Sequence, residues 1–239
     1  MKYLLNVMDL VIEIDAKHEL LTQRIQAYLI SNSDRVDISI NVSEERLLKG
    51  IKDNPQLSLS EAEYIFTSII FYREILKFNS FVIHSSAVVV DDKVYAFSAK
   101  SGTGKSTHTK LYLKIFKGSY IINDDKPAYR YIDGKFKVYG TPWSGKDDIS
   151  VNRGVDLQGL CFIKRGTSNE IYPVEKKEAI SKLIQQTMLP TKKDNLILLL
   201  GLLDKFIRLY PICEICCDMS KKAAETSYEY MKGNTQYDS

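Results

Sequence analysis

Residues 97–110 have the sequence FSAKSGTGKSTHTK, a run of small side chains between a strand-like and a helix-like segment. Positions 99–106 match the phosphate-loop pattern G-x-x-x-x-G-K-[ST], except that Ala99 replaces the first glycine. Small residues allow successive backbone N–H groups to converge on a phosphate, and the following helix adds its positive N-terminal end. The segment therefore predicts a loop that wraps the phosphates of a nucleotide. The alternative is a flexible loop with a chance lysine.

The pattern also assigns roles to side chains of the loop. Lys105 would neutralise charge on the β- and γ-phosphates, and the Ser106 hydroxyl would bind a magnesium ion. The predicted nucleotide-binding residues are Ser101, Gly102, Thr103, Gly104, Lys105, Ser106 and Thr107. ATP and Mg²⁺ are the expected cofactors. GTP and pyrophosphate stay open as donors, because no base-reading motif is visible.

Two adjacent aspartates are predicted to complete the metal site. Asp124 and Asp125 follow Ser106 by eighteen and nineteen residues, which leaves room for one helix and one strand. Such a path returns the carboxylates to the loop, where phosphate-loop enzymes place a second magnesium ligand. Adjacent side chains point in different directions on an extended backbone, so one can bind Mg²⁺ while the other accepts a proton from a hydroxyl. The alternative is an acidic turn on the surface.

His84 is a third candidate for chemistry. It lies in FVIHSSAVV, on a strand predicted to form a hairpin with the strand that enters the loop. The hairpin turn is predicted at Asp91, Asp92 and Lys93. A lone histidine on a strand is more often a core or edge residue with satisfied hydrogen bonds, and that interpretation stays open.

Three segments in this order, IHSSAVVV, SGTGKST and INDD, resemble the catalytic core of the HPr kinase/phosphorylase family. That family shares its architecture with ATP-dependent phosphoenolpyruvate carboxykinases, and the resemblance covers residues 81–165. It implies an α/β fold in which helices surround a mixed β-sheet. It also implies that the loop binds ATP and that the paired aspartates serve as metal ligand and general base. Carried over, His84 assists Asp124 or Asp125.

Two departures from the family pattern change the expected activity. Bifunctional members carry a larger separate N-terminal domain, whereas only about 80 residues precede His84 here. The segment VNRGVDLQGL keeps Arg153 and Gly154 but has Val151 where a glutamate tied to the reverse reaction would stand. We therefore expect no phosphorylase activity. Small relatives accompany peptide-modification genes, which implies a Ser or Thr of a peptide or protein as acceptor.

The loop GTPWSGKDD, residues 140–148, is polar and rich in turn residues, a composition typical of functional loops. Lys146, together with the nearby Arg153, is a candidate to neutralise charge on the transferred phosphoryl group. Trp143 either contacts a ligand from this loop or packs into the core.

Composition excludes some classes of partner. The chain has 33 basic and 30 acidic residues, a balance that does not predict nucleic-acid binding. No apolar segment approaches the roughly 18 residues that a membrane span needs. The four cysteines are expected to be free thiols, and the first residues do not resemble a signal peptide, so a cytoplasmic location is predicted.

The remaining pattern predicts the organisation of the chain. Residues 1–80 are predicted to form a small α/β portion, and residues 81–239 a kinase core with C-terminal helices. The two portions are expected to form one compact unit. Strands are expected at 3–14 and 36–42, and a helix at 58–78 is expected to begin with a capping box of Ser60 and Glu63. Helices are also expected at 175–186, 193–210 and 220–233. Family members are often oligomers, so the apolar segment 195–210 is either core, the default, or a subunit contact.

The leading hypothesis is a Mg²⁺- and ATP-dependent kinase that transfers the γ-phosphoryl group to a hydroxyl of a peptide or protein. A small-molecule alcohol is an alternative acceptor. A non-catalytic nucleotide-binding regulator of the same fold is a rival, but binding alone would need only one of the two aspartates. Carboxykinase chemistry would need further basic residues and a longer chain.

Overall fold

Two β-sheets organise residues 1–234, the part of the chain that the computed structural model describes. The strands are β1 (Lys2–Val7), β2 (Leu10–Asp15), β3 (Leu29–Ile30), β4 (Ile38–Ile40), β5 (Ser80–Val82), β6 (Ser85–Val90), β7 (Lys93–Ser98), β8 (Tyr120–Asn123), β9 (Ala128–Ile132), β10 (Lys135–Tyr139), β11 (Gly154–Arg165), β12 (Glu170–Pro173) and β13 (Ile212–Cys217). The α-helices are α1 (Glu19–Arg24), α2 (Glu44–Asp53), α3 (Leu59–Glu74), α4 (Lys105–Ile115), α5 (Lys176–Gln186), α6 (Lys193–Leu209) and α7 (Lys221–Gly233). This architecture confirms the predicted α/β class with helices around a mixed sheet, while the kinase-type core stays a prediction.

The smaller sheet is formed by the first four strands, in the order β3-β1-β2-β4. Strands β1 and β2 form a hairpin whose turn residues, Met8 and Asp9, both have a φ of 61°. Positive φ at both central positions is typical of the two-residue turn that matches the twist of a hairpin. The strand pattern predicted at 3–14 is therefore two paired strands. Strand β4 then adds parallel to β2, after α1 has crossed between them.

Helix α3 begins with a capping box, but not with the predicted one. The Ser58 side chain accepts a hydrogen bond from the Glu61 backbone N–H at 3.2 Å, and the Glu61 carboxylate accepts one from the Ser58 N–H at 2.9 Å. The prediction of Ser60 and Glu63 is wrong by two residues, because both pairs have the same S-x-x-E spacing. Glu63 is instead buried, and it accepts two backbone N–H groups that precede α1. A buried carboxylate needs such partners, and here they fasten α3 to the smaller sheet.

The larger sheet has its strands in the order β5-β9-β10-β11-β7-β6-β8, with β13 beside β11 and β12 beside β13. Strands β7, β11 and β13 are parallel, and β6 is antiparallel to both β7 and β8. Strand β8 consequently runs in the same direction as β7. The carboxyl ends of β7, β8, β11 and β13 lie at one edge of the sheet, which is where open α/β sheets bind ligands.

The hairpin turn predicted at Asp91, Asp92 and Lys93 is found at the first two of these residues, and a second hairpin turn joins β9 to β10. Asp91 and Asp92 have φ values of 49° and 54° between β6 and β7, and Asp133 and Gly134 have values of 50° and 80° between β9 and β10. The first of these turns sets the register in which Ser85 pairs with Ser98. The residue before β6 therefore lies beside the loop that follows β7.

Helices cover both faces of the larger sheet. Leu183 of α5 and Phe206 of α6 pack with Phe162 in one apolar cluster, while Tyr112 of α4 and Tyr228 of α7 belong to a second. Residues of β11 alternate between these clusters, as in a strand buried on both faces. The predicted helices at 175–186, 193–210 and 220–233 are confirmed. The inner face of α6 is core, as expected by default, and a subunit contact through its outer face stays a prediction.

A third apolar cluster joins the two portions of the chain. It combines residues of the smaller sheet with α3, Val82, Tyr139 and Trp143. Trp143 is 1% exposed, its ring stacks on Phe71 with centroids 4.5 Å apart, and its Nε1 donates to Thr67 at 3.3 Å. A ligand contact by Trp143 is therefore wrong, since the indole is fully used in the core. The division into residues 1–80 and 81–239 stays a prediction.

None of the helices within residues 1–234 combines the length and the apolar character that crossing a membrane requires.

Candidate active site

The loop between β7 and α4 has the backbone that its glycines predict. Gly102 has a φ of 76°, and Gly104, the residue that caps α4, has a φ of 117°. A Cβ at position 104 would lie 2.5 Å from the terminal methyl of Met219, which follows β13. Glycine thus supplies both a conformation that other residues rarely adopt and room for a neighbouring element. The first N–H groups of α4 have no intrahelical acceptors, so they are free to bind an anion.

Lys105 closes the loop at its base. Its Nζ donates to the backbone carbonyl of Ala99, the first residue of the loop, at 3.1 Å, and the residue is 8% exposed. Burial lowers the pKa of Lys105, and the charges of Asp125 and Asp124 oppose that shift. The ammonium is therefore held inside the ring of the loop, on the side where the two aspartates lie.

Asp124 and Asp125 follow β8 and point in different directions, as their adjacency predicts. Asp124 is 8% exposed, and its carboxylate accepts a hydrogen bond from Ser86 of β6 at 2.5 Å. The Ser86 hydroxyl also lies 2.8 Å from that of Thr109 on α4. Asp124 is thereby tied to the strand and the helix that flank the loop, whereas the Asp125 side chain is 26% exposed. The alternative of an acidic surface turn does not fit these contacts.

Asp125 forms an acid–base pair with His84. The Nε2 atom of His84 lies 3.3 Å from Oδ1 of Asp125, and Nζ of Lys126 lies 2.7 Å from Oδ2. Burial alone would raise the pKa of Asp125, but the hydrogen bond from His84 and the charge of Lys126 outweigh it and lower the pKa to about 2. The carboxylate is therefore ionised at neutral pH, between two cationic or potentially cationic groups.

His84 does not lie on a strand, which corrects the sequence prediction. It occupies the two-residue break between β5 and β6, where its N–H donates to the carbonyl of Gln186 at 2.7 Å and its carbonyl accepts from the Ser98 hydroxyl at 2.9 Å. Ser85 N–H donates to the carbonyl of Asp125 at 3.0 Å. The break turns the imidazole out of the ladder and toward the loop. With its side chain 30% exposed, His84 is not a core histidine.

Asn123 shapes the turn that carries the aspartates, and sequence reasoning missed it. Its side-chain oxygen accepts the N–H groups of Asp125 and Lys126 at 3.1 and 2.9 Å, and its amide donates to the carbonyl of Thr141 at 3.3 Å. Asparagine commonly stabilises a turn by binding backbone two residues ahead. The letters N-D-D carried this signal in the sequence.

A cavity of about 500 Å³ brings most of the predicted site residues together. It is lined by His84, Ser101, Gly102, Gly104, Lys105, Ser106, Thr107, Asp124, Asp125 and Lys146, together with Ser144, Gly145, Asp147 and Arg165. Thr103 lies on the other side of the loop, in a cavity of about 570 Å³ that it shares with Arg165 and Lys182. Apart from Thr103 and Arg153, the predicted site residues therefore line one cavity.

Arg153 is not brought to this cavity, and Arg165 is. Arg153 pairs with Asp92 at 3.2 Å and Tyr120 at 3.3 Å, at the end of β7 opposite the loop. Arg165, the last residue of β11, donates to the carbonyls of Gly102 and Thr103 at 3.0 Å each. This contact arises because β11 pairs in parallel with β7, so both strands end beside the loop. The sequence does not show that these two strands pair.

The wall opposite the loop is held by a residue of the N-terminal portion. Arg24 of α1 donates to the carbonyl of Gly145 at 2.9 Å and to the Ser144 hydroxyl at 3.2 Å, and it pairs with Asp148. Gly145 has a φ of 82°, and a Cβ there would lie 2.8 Å from Cβ of Asp125. The segment therefore packs directly on Asp125 and presents Lys146 to the cavity.

The polar groups of this cavity fit a magnesium ion that a nucleotide brings with it. Among residues 1–234, no cluster of three or more His, Cys, Asp or Glu side chains offers a metal site by itself. Mg²⁺ is usually held by one or two carboxylates together with substrate phosphates and water. Asp124, Asp125 and the Ser106 hydroxyl line the same cavity and supply oxygen ligands of that kind.

Comparison with known proteins adds a distant similarity. No protein-family model matches the chain, and no curated protein matches it. Among solved structures, the HPr(Ser) kinase/phosphatase from Coxiella burnetii is similar with a TM-score of 0.30 and 14% identity, over 51% of this chain and 92% of that one. A similarity at this level says nothing about the activity of this chain.

Proposed function

We propose that this protein is an ATP- and Mg²⁺-dependent phosphotransferase that moves the γ-phosphoryl group onto the hydroxyl of a Ser or Thr in a peptide or protein. One observation carries the proposal. The His84–Asp125 pair and the Lys105 ammonium line the same cavity as the loop amides and Ser106. Binding of a nucleotide alone does not require a histidine–carboxylate pair beside the loop.

The donor side of the site rests on the loop. The N–H groups at the start of α4 and the Lys105 ammonium neutralise phosphate charge, and little reorganisation is needed because Gly102 and Gly104 already have positive φ. The Ser106 hydroxyl and Asp124 would hold Mg²⁺, which supplies charge neutralisation between the β- and γ-phosphates. Arg165 holds the loop from outside through two carbonyls.

The acceptor side rests on Asp125 and His84. A new bond forms between the acceptor oxygen and the γ-phosphorus, the bond to the leaving ADP oxygen breaks, and the acceptor proton passes to the Asp125 carboxylate. A pKa of about 2 makes Asp125 a weak base. The negative charge of a triphosphate next to it raises that pKa. Phosphoryl transfer also depends mainly on positioning and charge stabilisation. His84 orients Asp125 through the 3.3 Å contact.

The proposal is tested by Lys105→Ala, with Lys114→Ala as the matched control on the exposed side of the same helix. We expect Lys105→Ala to lower the rate of γ-phosphoryl transfer, to water or to a serine peptide library, by about 10²-fold or more. Lys114→Ala should behave as wild type. Binding of an ATP analogue with Mg²⁺ is measured in parallel by calorimetry. Binding without transfer to any acceptor would leave a nucleotide-binding regulator, and full turnover by Lys105→Ala would refute the phosphate-loop mechanism.

A further inference from the structure

A smaller cavity adjoins the active site on the other side of His84. Its volume is about 270 Å³, and its apolar lining includes Tyr72, Val82 and Met188. His84 lines both this cavity and the one that holds Lys105 and Asp125. A molecule with its hydroxyl at the His84–Asp125 pair therefore has an apolar recess directly beside it. We call this recess the His84 side cavity.

The walls of the His84 side cavity are fixed relative to the imidazole. The N–H of His84 donates to the carbonyl of Gln186 at 2.7 Å, and the Thr187 hydroxyl donates to the carbonyl of Val82. These bonds join the end of α5 to the break between β5 and β6. Tyr72, on another wall, packs edge-on against Trp143 with ring centroids 6.2 Å apart. A recess built on such supports has a defined shape, which selection between side chains requires.

Size separates the occupants that the cavity could take. Sites for whole small molecules usually measure about 300–1,000 Å³, and this cavity lies just below that range. It does have room for one apolar side chain. The charge of Lys126, which also lines it, is directed to Asp125 at 2.7 Å.

Resting on the proposed function, we propose that the His84 side cavity is the specificity subsite for the acceptor peptide. It takes an apolar side chain within two positions of the Ser or Thr that is phosphorylated. Consecutive Cα atoms are about 3.8 Å apart, so a residue this near the hydroxyl reaches the neighbouring recess. Removing apolar surface from water on binding supplies the preference.

The test uses a library of blocked pentapeptides with a central serine and varied flanking residues, phosphorylated with ATP and Mg²⁺ and read by mass spectrometry. We expect the wild type to prefer Leu, Met or Phe over Gly at one flanking position by about tenfold, the range for an apolar group in a pocket. Met188→Lys places a cation in the cavity and should shift that position toward Asp and Glu. Met188→Ala enlarges the cavity and should favour larger apolar residues.

Leu189→Lys is the matched control, because Leu189 is the next residue, 47% exposed, and outside the cavity lining. It should keep the wild-type preference, and all variants should bind the ATP analogue alike. Phosphorylation of the library with no apolar preference, or a preference that neither Met188 variant changes, overturns the subsite and leaves the kinase. Nucleotide binding with no phosphorylated peptide overturns the proposed function and the subsite with it.

Discussion

Nε2 of His84 lies 3.3 Å from Oδ1 of Asp125, although one residue precedes β6 and the other follows β8, with β7 and α4 between them in the chain. The contact exists because β6 begins, and β8 ends, at the same edge of the sheet as the loop after β7. The strand order therefore brings a histidine, a carboxylate and the loop at 99–106 together without any long insertion. Substitutions of these groups therefore have distinct expected effects.

Asp125→Asn should abolish most phosphoryl transfer while it leaves nucleotide binding intact. The amide cannot accept the acceptor's proton, so we expect kcat to fall by about 10²- to 10⁴-fold. Affinity for the ATP analogue should hold or rise, because a negative charge beside the phosphates is lost. Steady-state kinetics and calorimetry measure the two effects. Asp133→Asn, in an exposed turn, is the control, and a kcat within twofold of wild type for Asp125→Asn would contradict the assigned role.

The ion pairs of Asp125 should make part of the stability depend on pH. Its pKa is about 2 in the folded protein against an ordinary 3.8, so the folded state gains from ionisation. That contribution, at most about 2 kcal/mol, is present above pH 3.8 and is lost as the pH falls through 2. Urea unfolding should therefore show Asp125→Asn as less stable than wild type at pH 6, with the difference vanishing near pH 2. A difference independent of pH would argue against the ion pairs as its cause.

The two arginines at opposite ends of the larger sheet should differ in their effect on nucleotide binding. Arg165→Ala removes two hydrogen bonds to loop carbonyls, and a bond from a charged group contributes enough for a loss in affinity of about tenfold. Arg153→Ala removes contacts with Asp92 and Tyr120 far from the loop and should bind the ATP analogue as wild type does. Equal losses for both variants would place Arg153 back at the site.

Gly104→Ala and Gly118→Ala separate backbone strain from damage to the loop. Both glycines have positive φ, 117° and 82°, so each alanine should cost about 1–2 kcal/mol of folding free energy. Only position 104 has a neighbour, the Met219 methyl at 2.5 Å, and only position 104 caps α4. Nucleotide affinity should therefore fall for Gly104→Ala alone. Thermal melts and calorimetry report the two effects, and unchanged affinity at position 104 would count against the loop as the binding element.

Local patterns predicted the parts of the fold that depend on neighbouring residues. The loop at 99–106, the turn at Asp91–Asp92 and the return of Asp124 and Asp125 after one helix and one strand all follow from short-range spacing. The capping box of α3 was misplaced because S-x-x-E occurs twice, at Ser58 and Ser60, and only packing against the start of α1 distinguishes the two.

Contacts between distant segments were beyond reach of the sequence. Arg165 and Thr103 are 62 positions apart, and Arg24 and Gly145 are 121 apart. The first contact depends on the strand order of the larger sheet, and the second on how the smaller sheet packs against it. Neither contact produces a periodic pattern in the sequence. Arg153 stands in a polar segment, which favours a functional prediction, whereas Arg165 ends an apolar strand and gives no such signal. The direction of β11, and not the polarity of the segment, determines which of the two arginines reaches the loop.

The grip of Arg24 on residues 144–148 has a consequence for how this chain can be divided. A fragment that starts at β5 would contain the loop, the aspartates and His84, yet the wall that rests on Asp125 would lose the contacts of Arg24. The N-terminal portion then supports one wall of the cavity, and its removal would change that wall. A fusion protein that carried only the remaining core would keep the sequence motifs. It would lose the contacts of Arg24 that hold residues 144–148 against Asp125.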